Sequence, residues 1–314
     1  MPSYLKLYES GELSERVKLL MDKLENCNVC PRNCAVNRFK IKTGYCQSGE
    51  KALICSYGDH HGEESPLSGT KGSGTIFFGS CNLRCVFCQN ADISQNPKYP
   101  TQYERTPERI ASIMLHLQNE RRCHNINFVS PSHFVPQIIA ALEIALSRGL
   151  NIPLIYNSNG YDSLETLQLL DGIIDIYLPD LKYSDDLFAN KYSAALNYTE
   201  TARIAIKEMY RQVGNLQADD KGIAEKGLII RHLVLPNNIS GSIETLHWIA
   251  NELSDEVSVN VMAQYHPAHH AVKIESLARS ISVNEYNKVL EELFRLKFKN
   301  AMYQPMPFAV KYRR

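Results

Sequence analysis

The chain has 314 residues, 44% hydrophobic and 22% charged, the make-up of an ordinary globular protein of one large or two smaller domains. Its 34 basic residues balance 34 acidic ones, so no net charge draws it to nucleic acid or to an anionic membrane. No apolar run can span a bilayer, and the start Met1-Pro-Ser-Tyr-Leu-Lys6 lacks the basic-then-apolar layout of a signal peptide, so a cytoplasmic protein is expected.

Leu13, Val17, Leu20, Met21 and Leu24 share one helical face and predict a helix over 13–26. It runs into Cys27-Asn-Val-Cys30-Pro-Arg-Asn-Cys34, followed by Cys46 after a turn that Gly44 can supply. Nine cysteines in such a chain point to metal or redox chemistry rather than disulfides. Four thiols close a site, so a metal at Cys27, Cys30, Cys34 and Cys46 is structural or electron-relaying; zinc and an iron–sulfur cluster both fit. Cys55, in an expected strand Ala52–Ser56, is either a core thiol or an exchanged ligand. Residues 57–74 are rich in Gly, Ser and His and read as loop and linker, with His60 and His61 solvated or hydrogen-bonding.

A regular alternation starts at Thr75. Strands are expected over 75–78, 126–130, 152–157, 173–178, 228–235 and 257–265. Between most of them lie helix patterns. Thr106 and Pro107 open one that presents Ile110, Ile113, Met114 and Leu117 on one face. Others cover 134–147, 199–213 and 243–253. Asp162 to Glu165 and Ser282 to Glu285 read as capping boxes. Six alternations predict an α/β fold with helices outside a parallel sheet, a partial (β/α)6 barrel rather than the closed eight-stranded form. A small cysteine-rich metal-binding region over 1–70 would precede a barrel over 71–314.

Ligands of parallel α/β folds sit at the carboxyl ends of the strands. The first strand ends in Gly79-Ser-Cys81-Asn-Leu-Arg-Cys85-Val-Phe87-Cys88. A 4Fe–4S cluster normally takes four cysteines, so three leave one iron open to a ligand. The other endings are Ser130-Pro-Ser-His133, Asn157-Ser-Asn159-Gly160, Pro179-Asp180-Leu-Lys182, Arg231-His232 with Pro236, and Gln264-Tyr-His266. Cys123 reads as a free thiol, and His269-His270 as a solvated turn.

The cysteine loop, with aromatic Phe87 before its third cysteine, resembles that of the radical S-adenosylmethionine (SAM) enzymes. Nearly the whole chain is similar to pyruvate formate-lyase activating enzyme homologues. The similarity covers Cys-Pro-Arg-Asn-Cys34, Gly-Tyr-Cys46, Gly74 to Cys85, Tyr156 to Gly160, Ile176 to Lys182 and Arg231 to Pro236. The resemblance implies that Cys81, Cys85 and Cys88 hold an open-site 4Fe–4S cluster whose free iron chelates SAM, and that an electron cleaves SAM to methionine and a 5′-deoxyadenosyl radical. It implies a radical SAM oxidoreductase that activates a protein substrate on a separate chain, served by a flavodoxin- or ferredoxin-like electron donor. Asn157 and Asn159 fall in its ribose-side motif, Asp180 and Lys182 in its Asp-Leu-Lys, Arg231 before its Val-Pro, and His266 where a late histidine stands near adenine. Lys182 or Arg231 can pair with the methionine carboxylate.

Two departures stand out. The usual Gly-Gly-Glu motif for the SAM amino group is replaced by Asn127 to His133, so Ser130, Ser132 or a carbonyl must substitute. The activases also lack the N-terminal cysteine arrangement. Modification of a small molecule or another peptide position, or a non-catalytic electron-transfer module, therefore stand as alternatives.

Overall fold

The computed structural model describes residues 2–41, 44–95 and 101–306. In chain order, α1 (Tyr4–Ser10) and α2 (Glu12–Asp22) precede the cysteine segment, and β1 (Ala52–His60), α3 (Ser65–Ser68) and β2 (Ser73–Phe78) follow it. Next come α4 (Ala91–Ser94), β3 (Glu104–Arg105), α5 (Pro107–Asn119), β4 (Ile126–Val129), α6 (Val135–Leu146), β5 (Leu154–Asn157), α7 (Leu164–Gln168) and β6 (Ile176–Tyr177). The chain continues through α8 (Asp186–Ser193), α9 (Tyr198–Val213), β7 (Gln217–Ala218) and β8 (Ala224–Leu233). It ends with α10 (Ser242–Glu252), β9 (Ser258–Met262), α11 (Val283–Arg295) and β10 (Ala301–Tyr303).

Among the described residues the strands form one sheet in the order β10-β9-β8-β6-β5-β4-β2-β1-β3, with β7 paired to β8. From β2 through β10 every neighbouring pair on that path is parallel. The six expected parallel strands are present in their expected succession, and the fold is an α/β open barrel. Its strands read as continuous apolar runs because both faces are covered: β5 and β9 are buried at every residue. α5 buries Ile110, Ile113, Met114 and Leu117, the stripe its sequence predicts. At α11 Ser282 accepts from Glu285 N while the Glu285 carboxylate takes Ser282 N, so that capping box forms as expected.

Several local expectations change. Residues 57–60 are not linker: β1 runs to His60 and pairs antiparallel with β2, Tyr57 facing Ile76 and His60 facing Ser73. Its outer half is only partly buried, which hides the strand pattern. The box at Asp162 does not form. Ser163 is the N-cap, and the Asp162 carboxylate turns inward to accept from Tyr156 Oη at 2.8 Å and Ser158 Oγ at 2.6 Å. β10 adds a parallel strand that three residues are too short to announce. The boundary expected at residue 70 falls inside continuous structure, because β1 and β2 pair across it. Tyr4, Leu13, Leu20 and Leu24 share one hydrophobic core with the barrel. Among the described residues no helix is long and apolar enough to cross a membrane.

Asp175 ties the N-terminus to this core. It is 2% exposed and accepts from Ser3 N at 3.0 Å and Leu154 N at 2.9 Å. Burial pushes its carboxyl up to about 6, against those two bonds. A folded value above the ordinary 3.8 means that the native state holds the proton more tightly. The stabilisation is complete below 3.8 and is lost as the pH rises through about 6. Urea midpoints of the unaltered chain should therefore carry a falling component across that window which Asp175→Asn lacks. Identical slopes in the two proteins would contradict the assignment.

Candidate functional site

The cysteine loop is fastened on all sides by backbone. Gly79 N donates to Leu53 O at 2.8 Å, and Ser80, in the left-handed region at φ 65°, donates to Ile93 O at 2.8 Å. Arg84 N and Val86 N donate to Ser193 O and Tyr192 O at the end of α8, and Ala271 N donates to Val86 O. Gly79 is required: a Cβ there would lie 2.9 Å from Cys55 Sγ and 3.1 Å from Leu53 Cβ. Cys55 thus packs behind the loop. Cys123, buried in the core, lies apart from both cysteine sets.

Each loop sulfur has a polar neighbour. Cys81 Sγ accepts from Leu83 N at 3.3 Å and Asn159 Nδ2 at 3.4 Å, Cys85 Sγ accepts from Ser193 Oγ at 3.1 Å, and Cys88 Sγ lies 3.2 Å from Ser94 Oγ. Burial pushes the Cys85 thiol up to about 12 and raises Cys81 as well; the charges of the three sulfurs act on one another. Binding a cationic metal group removes those protons, because the cation replaces the lost solvation. Among the described residues no three His, Cys, Asp or Glu side chains are grouped to hold a single ion. A four-iron cube asks for something else, one thiolate per iron, and the loop offers three with hydrogen-bond donors in place.

Cys85 and Cys88 line a cleft of about 860 Å³ at the carboxyl ends of the strands, together with Phe87, Asn157, Asp180, Lys182 and Arg231. Asp180 is the hub. Its Oδ1 accepts from Arg231 Nε at 2.9 Å and its Oδ2 from Lys182 Nζ at 2.6 Å. Burial pushes its carboxyl up, and the two cations more than offset this, leaving it below the usual range. Arg231 also donates to Asn157 Oδ1 at 2.6 Å. Lys182 and Arg231 thus already share a carboxylate, and a second one from a ligand would join an existing network. Phe87 is buried edge-on to Tyr183 and Tyr265.

Other expected residues stand elsewhere. Asn159 does not reach the cleft: its amide bonds Cys81 Sγ and Asn82 Oδ1, and its carbonyl accepts from Tyr161 N. It supports the cysteine loop, with no amide hydrogen left for a ribose. Ser130 follows β4 at φ 58° with its N–H on Asn157 O. Ser132 is buried. His266 is exposed at the rim, its Nδ1 3.3 Å from Gln89 Nε2, one residue past Cys88.

Sequence patterning does not reveal Glu63, Glu64 and Asn260, which line the cleft together with His60. The antiparallel β1 brings the segment before α3 back across the barrel. Glu63 Oε2 then lies 3.6 Å from Arg231 Nη1, and Glu64 Oε1 accepts from Asn260 Nδ2 at 2.8 Å. Burial raises the Glu63 carboxyl, with Arg231 pulling the other way. Glu64 Oε2 is buried without a hydrogen-bond partner. Nor does any motif mark Tyr198, whose Oη accepts from Lys182 N and lies 2.9 Å from Asn159 O and 3.0 Å from Asp180 O.

Gly160 makes that junction possible. It sits at φ +79°, and a Cβ would stand 2.3 Å from Asp180 O. Gly160→Ala should lower stability by about 2–4 kcal/mol through strain and overpacking. It should also move Asn159 off Cys81. An unchanged urea midpoint would contradict this close approach.

The N-terminal cysteines converge as well. Cys27, Cys30, Cys34 and Cys46 line one chamber with Arg32, Arg38 and His133. Three of the four are buried, and Cys34 is partly exposed. Cys34 Sγ accepts from Tyr45 N at 3.3 Å. Cys55 is not among the chamber residues. His269 and His270 are exposed, with ring centres 3.7 Å apart and planes tilted by 39°.

Comparison with known proteins adds the following. The family profile described as Radical SAM superfamily matches residues 75–215. Uncharacterized protein MJ0674 of Methanocaldococcus jannaschii is 31% identical over 293 residues, 91% of this chain and 80% of that one. Uncharacterized protein MJ0808 of the same organism is 25% identical, covering 85% and 80%. Among solved structures, methylornithine synthase (PylB) overlaps 74% of this chain and 71% of its own at 16% identity and TM-score 0.46. TYW1 with a lysine-pyruvate adduct bound overlaps 70% and 73% at 14% identity and TM-score 0.43.

Proposed function

The chain belongs to the radical SAM superfamily, and from that premise we propose that it cleaves S-adenosylmethionine at a 4Fe–4S cluster on Cys81, Cys85 and Cys88 to act on a protein substrate, in the manner of a glycyl-radical activase. The observation that carries this reading is the set of three donor-backed thiols, two of them facing one large cleft at the carboxyl edge of the sheet. When bound, the cluster and SAM supply a one-electron cleavage of the sulfonium that leaves a 5′-deoxyadenosyl radical.

The chain's own residues position and shield. Ser193, Ser94, Asn159 and the Leu83 N–H steady the three sulfurs. The Asp180–Lys182–Arg231 network offers fixed charge of both signs to a zwitterionic amino acid. Arg231 orients Asn157 toward a ribose. Phe87, with Tyr183 and Tyr265 behind it, keeps water from the loop. Ser130 and His266 are assigned to the SAM amino group and the adenine edge. We read the four N-terminal thiols as a closed metal site, the substrate as a separate chain, the donor as flavodoxin- or ferredoxin-like, and the setting as cytoplasmic.

A second reading, a small polar substrate, is favoured by Glu63 and Glu64 in the cleft. Anaerobic reconstitution with iron and sulfide, then dithionite and SAM, should release 5′-deoxyadenosine. Absence of product from protein with confirmed cluster content would sink the proposal. Glu64→Gln separates the two readings: if small-molecule recognition depends on Glu64, hydrogen abstraction falls while abortive SAM cleavage persists.

A further inference from the structure

We infer that Glu63 and Glu64, at the floor of the cleft, hold a cationic nitrogen of the substrate, an ammonium carried on an apolar stem. The word substrate rests on the proposed SAM cleavage; the cation site rests on the geometry alone. Both glutamates line the cleft, as does Asn260. Their level is set by α3. Leu67 of that helix is fully buried in a cluster with Ile155, Ile176 and Ile229. Ile155 and Ile229 precede Asn157 and Arg231 by one strand repeat on β5 and β8, so they form the layer beneath the residues that line the cleft. Asn125 Nδ2 donates 2.8 Å to Leu67 O and fastens α3 there. The helix thus plugs the barrel and leaves the two carboxylates just before it in the cleft wall.

Neither carboxylate is satisfied from within the chain. The Glu63 side chain is 10% exposed, yet its neighbours stand off: Arg231 Nη1 is 3.6 Å from Oε2 and His60 Nδ1 is 3.7 Å from Oε1, both beyond a hydrogen bond. Arg231 is committed elsewhere, its Nε on Asp180 and its Nη2 on Asn157. His60 Nδ1 is itself buried without a hydrogen-bond partner. Glu64 gives Oε1 to Asn260 Nδ2 at 2.8 Å, and its Oε2 is buried with no partner. A buried carboxylate oxygen without a donor costs stability until one reaches it. The charges around the cleft point the same way. Glu63, Glu64 and Asp180 face two fixed cations, Lys182 and Arg231, and Asp180 already takes a hydrogen bond from each. The unmatched charge is negative and lies with the two glutamates.

A bare metal ion is the poorer occupant, because among the described residues no three His, Cys, Asp or Glu side chains are grouped for one ion. An ammonium needs no such shell: it brings three N–H donors to carboxylate oxygens that lack them. Phe77, Val129, Leu233 and Met262 line the same cleft and give an alkyl stem an apolar wall. Cys85 and Cys88 line it too, so a molecule anchored by its cation has its stem in the space that the cysteine loop faces. Two sources share this chemistry, a small alkylamine and a lysine side chain offered by a protein.

The test titrates the anaerobically reconstituted, oxidised protein by calorimetry, with SAM in excess. Hexylamine is compared with hexanol, and N-acetyl-lysine amide with N-acetyl-norleucine amide. At least one amine should bind about tenfold or more tighter than its neutral partner, the size expected of a desolvated charge pair. Glu63→Gln and Glu64→Gln should each cut that preference at least about fivefold. Hexylamine binding at least as tightly as the lysine amide assigns the cation to a small amine; the reverse order assigns it to a protein side chain. Equal binding of each amine and its neutral partner by the unaltered chain overturns the site, whether or not the variants fold. A preference that survives in both variants, with urea midpoints showing them folded, overturns its placement at Glu63 and Glu64. Deoxyadenosine release is read separately with dithionite. Its absence defeats the proposed SAM cleavage and leaves an observed amine preference standing as a cation site.

Discussion

Cys85→Ala should reduce 5′-deoxyadenosine release by roughly a thousandfold or more, at least about 4 kcal/mol of barrier. Two thiolates cannot hold three irons of a cube, and the group that binds SAM is lost with them. Cys85 is the middle cysteine of the loop. Its sulfur is braced by Ser193, and Gln95 Nε2 bonds its carbonyl at 2.9 Å. The backbone bonds that fasten the loop do not involve the thiol, so the fold should survive the change. Iron and sulfide content, the SAM-induced change in the EPR spectrum and product release should fall together. Cys123→Ala is the control: a thiol buried in the core away from the cleft, costing about 1 kcal/mol of stability and no activity. Retention of SAM cleavage by Cys85→Ala at more than a few per cent would overturn the assignment of the cluster to this loop.

Arg231→Met should lower stability strongly. The Arg231 and Asp180 side chains are each 16% exposed, and Glu63 is 10% exposed. Removing the guanidinium leaves Asp180 with Lys182 alone and Glu63 with only His60, 3.7 Å away. Breaking a buried pair costs about 3–5 kcal/mol, and water entering from the cleft should bring this to about 2–4. The pH dependence has a definite sign. In the unaltered chain Asp180 lies below its ordinary value, so its contribution is present above the unfolded value and is lost as the pH falls through the folded one. Without Arg231, burial wins and the carboxyl rises, so that contribution shrinks or reverses near neutrality. Urea midpoints at pH 7 should drop more than those at pH 4. Adding Asp180→Asn should recover part of the loss. An Arg231→Met protein with an unchanged midpoint at pH 7 would show that the network is held by other means.

How far the sequence carries depends on the range of the interaction involved. The two cysteine sets are recognisable because each closes over a few residues, and a short spacing limits where its thiols can go. The stripe of α5 and the capping box of α11 are equally local, and both form. The six parallel strands are visible because full burial writes continuous apolar runs, although β6 keeps only two residues of its expected six. Asp162 shows the limit: its spacing fits a cap, but Tyr156 and Ser158 offer better partners inside.

Residue types and short spacings by themselves determined the two cysteine sets, the strand–helix alternation and the edge of the sheet where the cleft opens. Only the tertiary structure decided who meets whom there. It turned Asn159 from the cleft to the back of Cys81, joined Arg231 to Asp180, and set Glu64 against Asn260, 196 positions away. The physical reason is that such pairings follow from which strands become neighbours. The antiparallel entry of β1 beside β2 swings Glu63 and Glu64 over the barrel, and nothing within a few residues of either glutamate records that geometry.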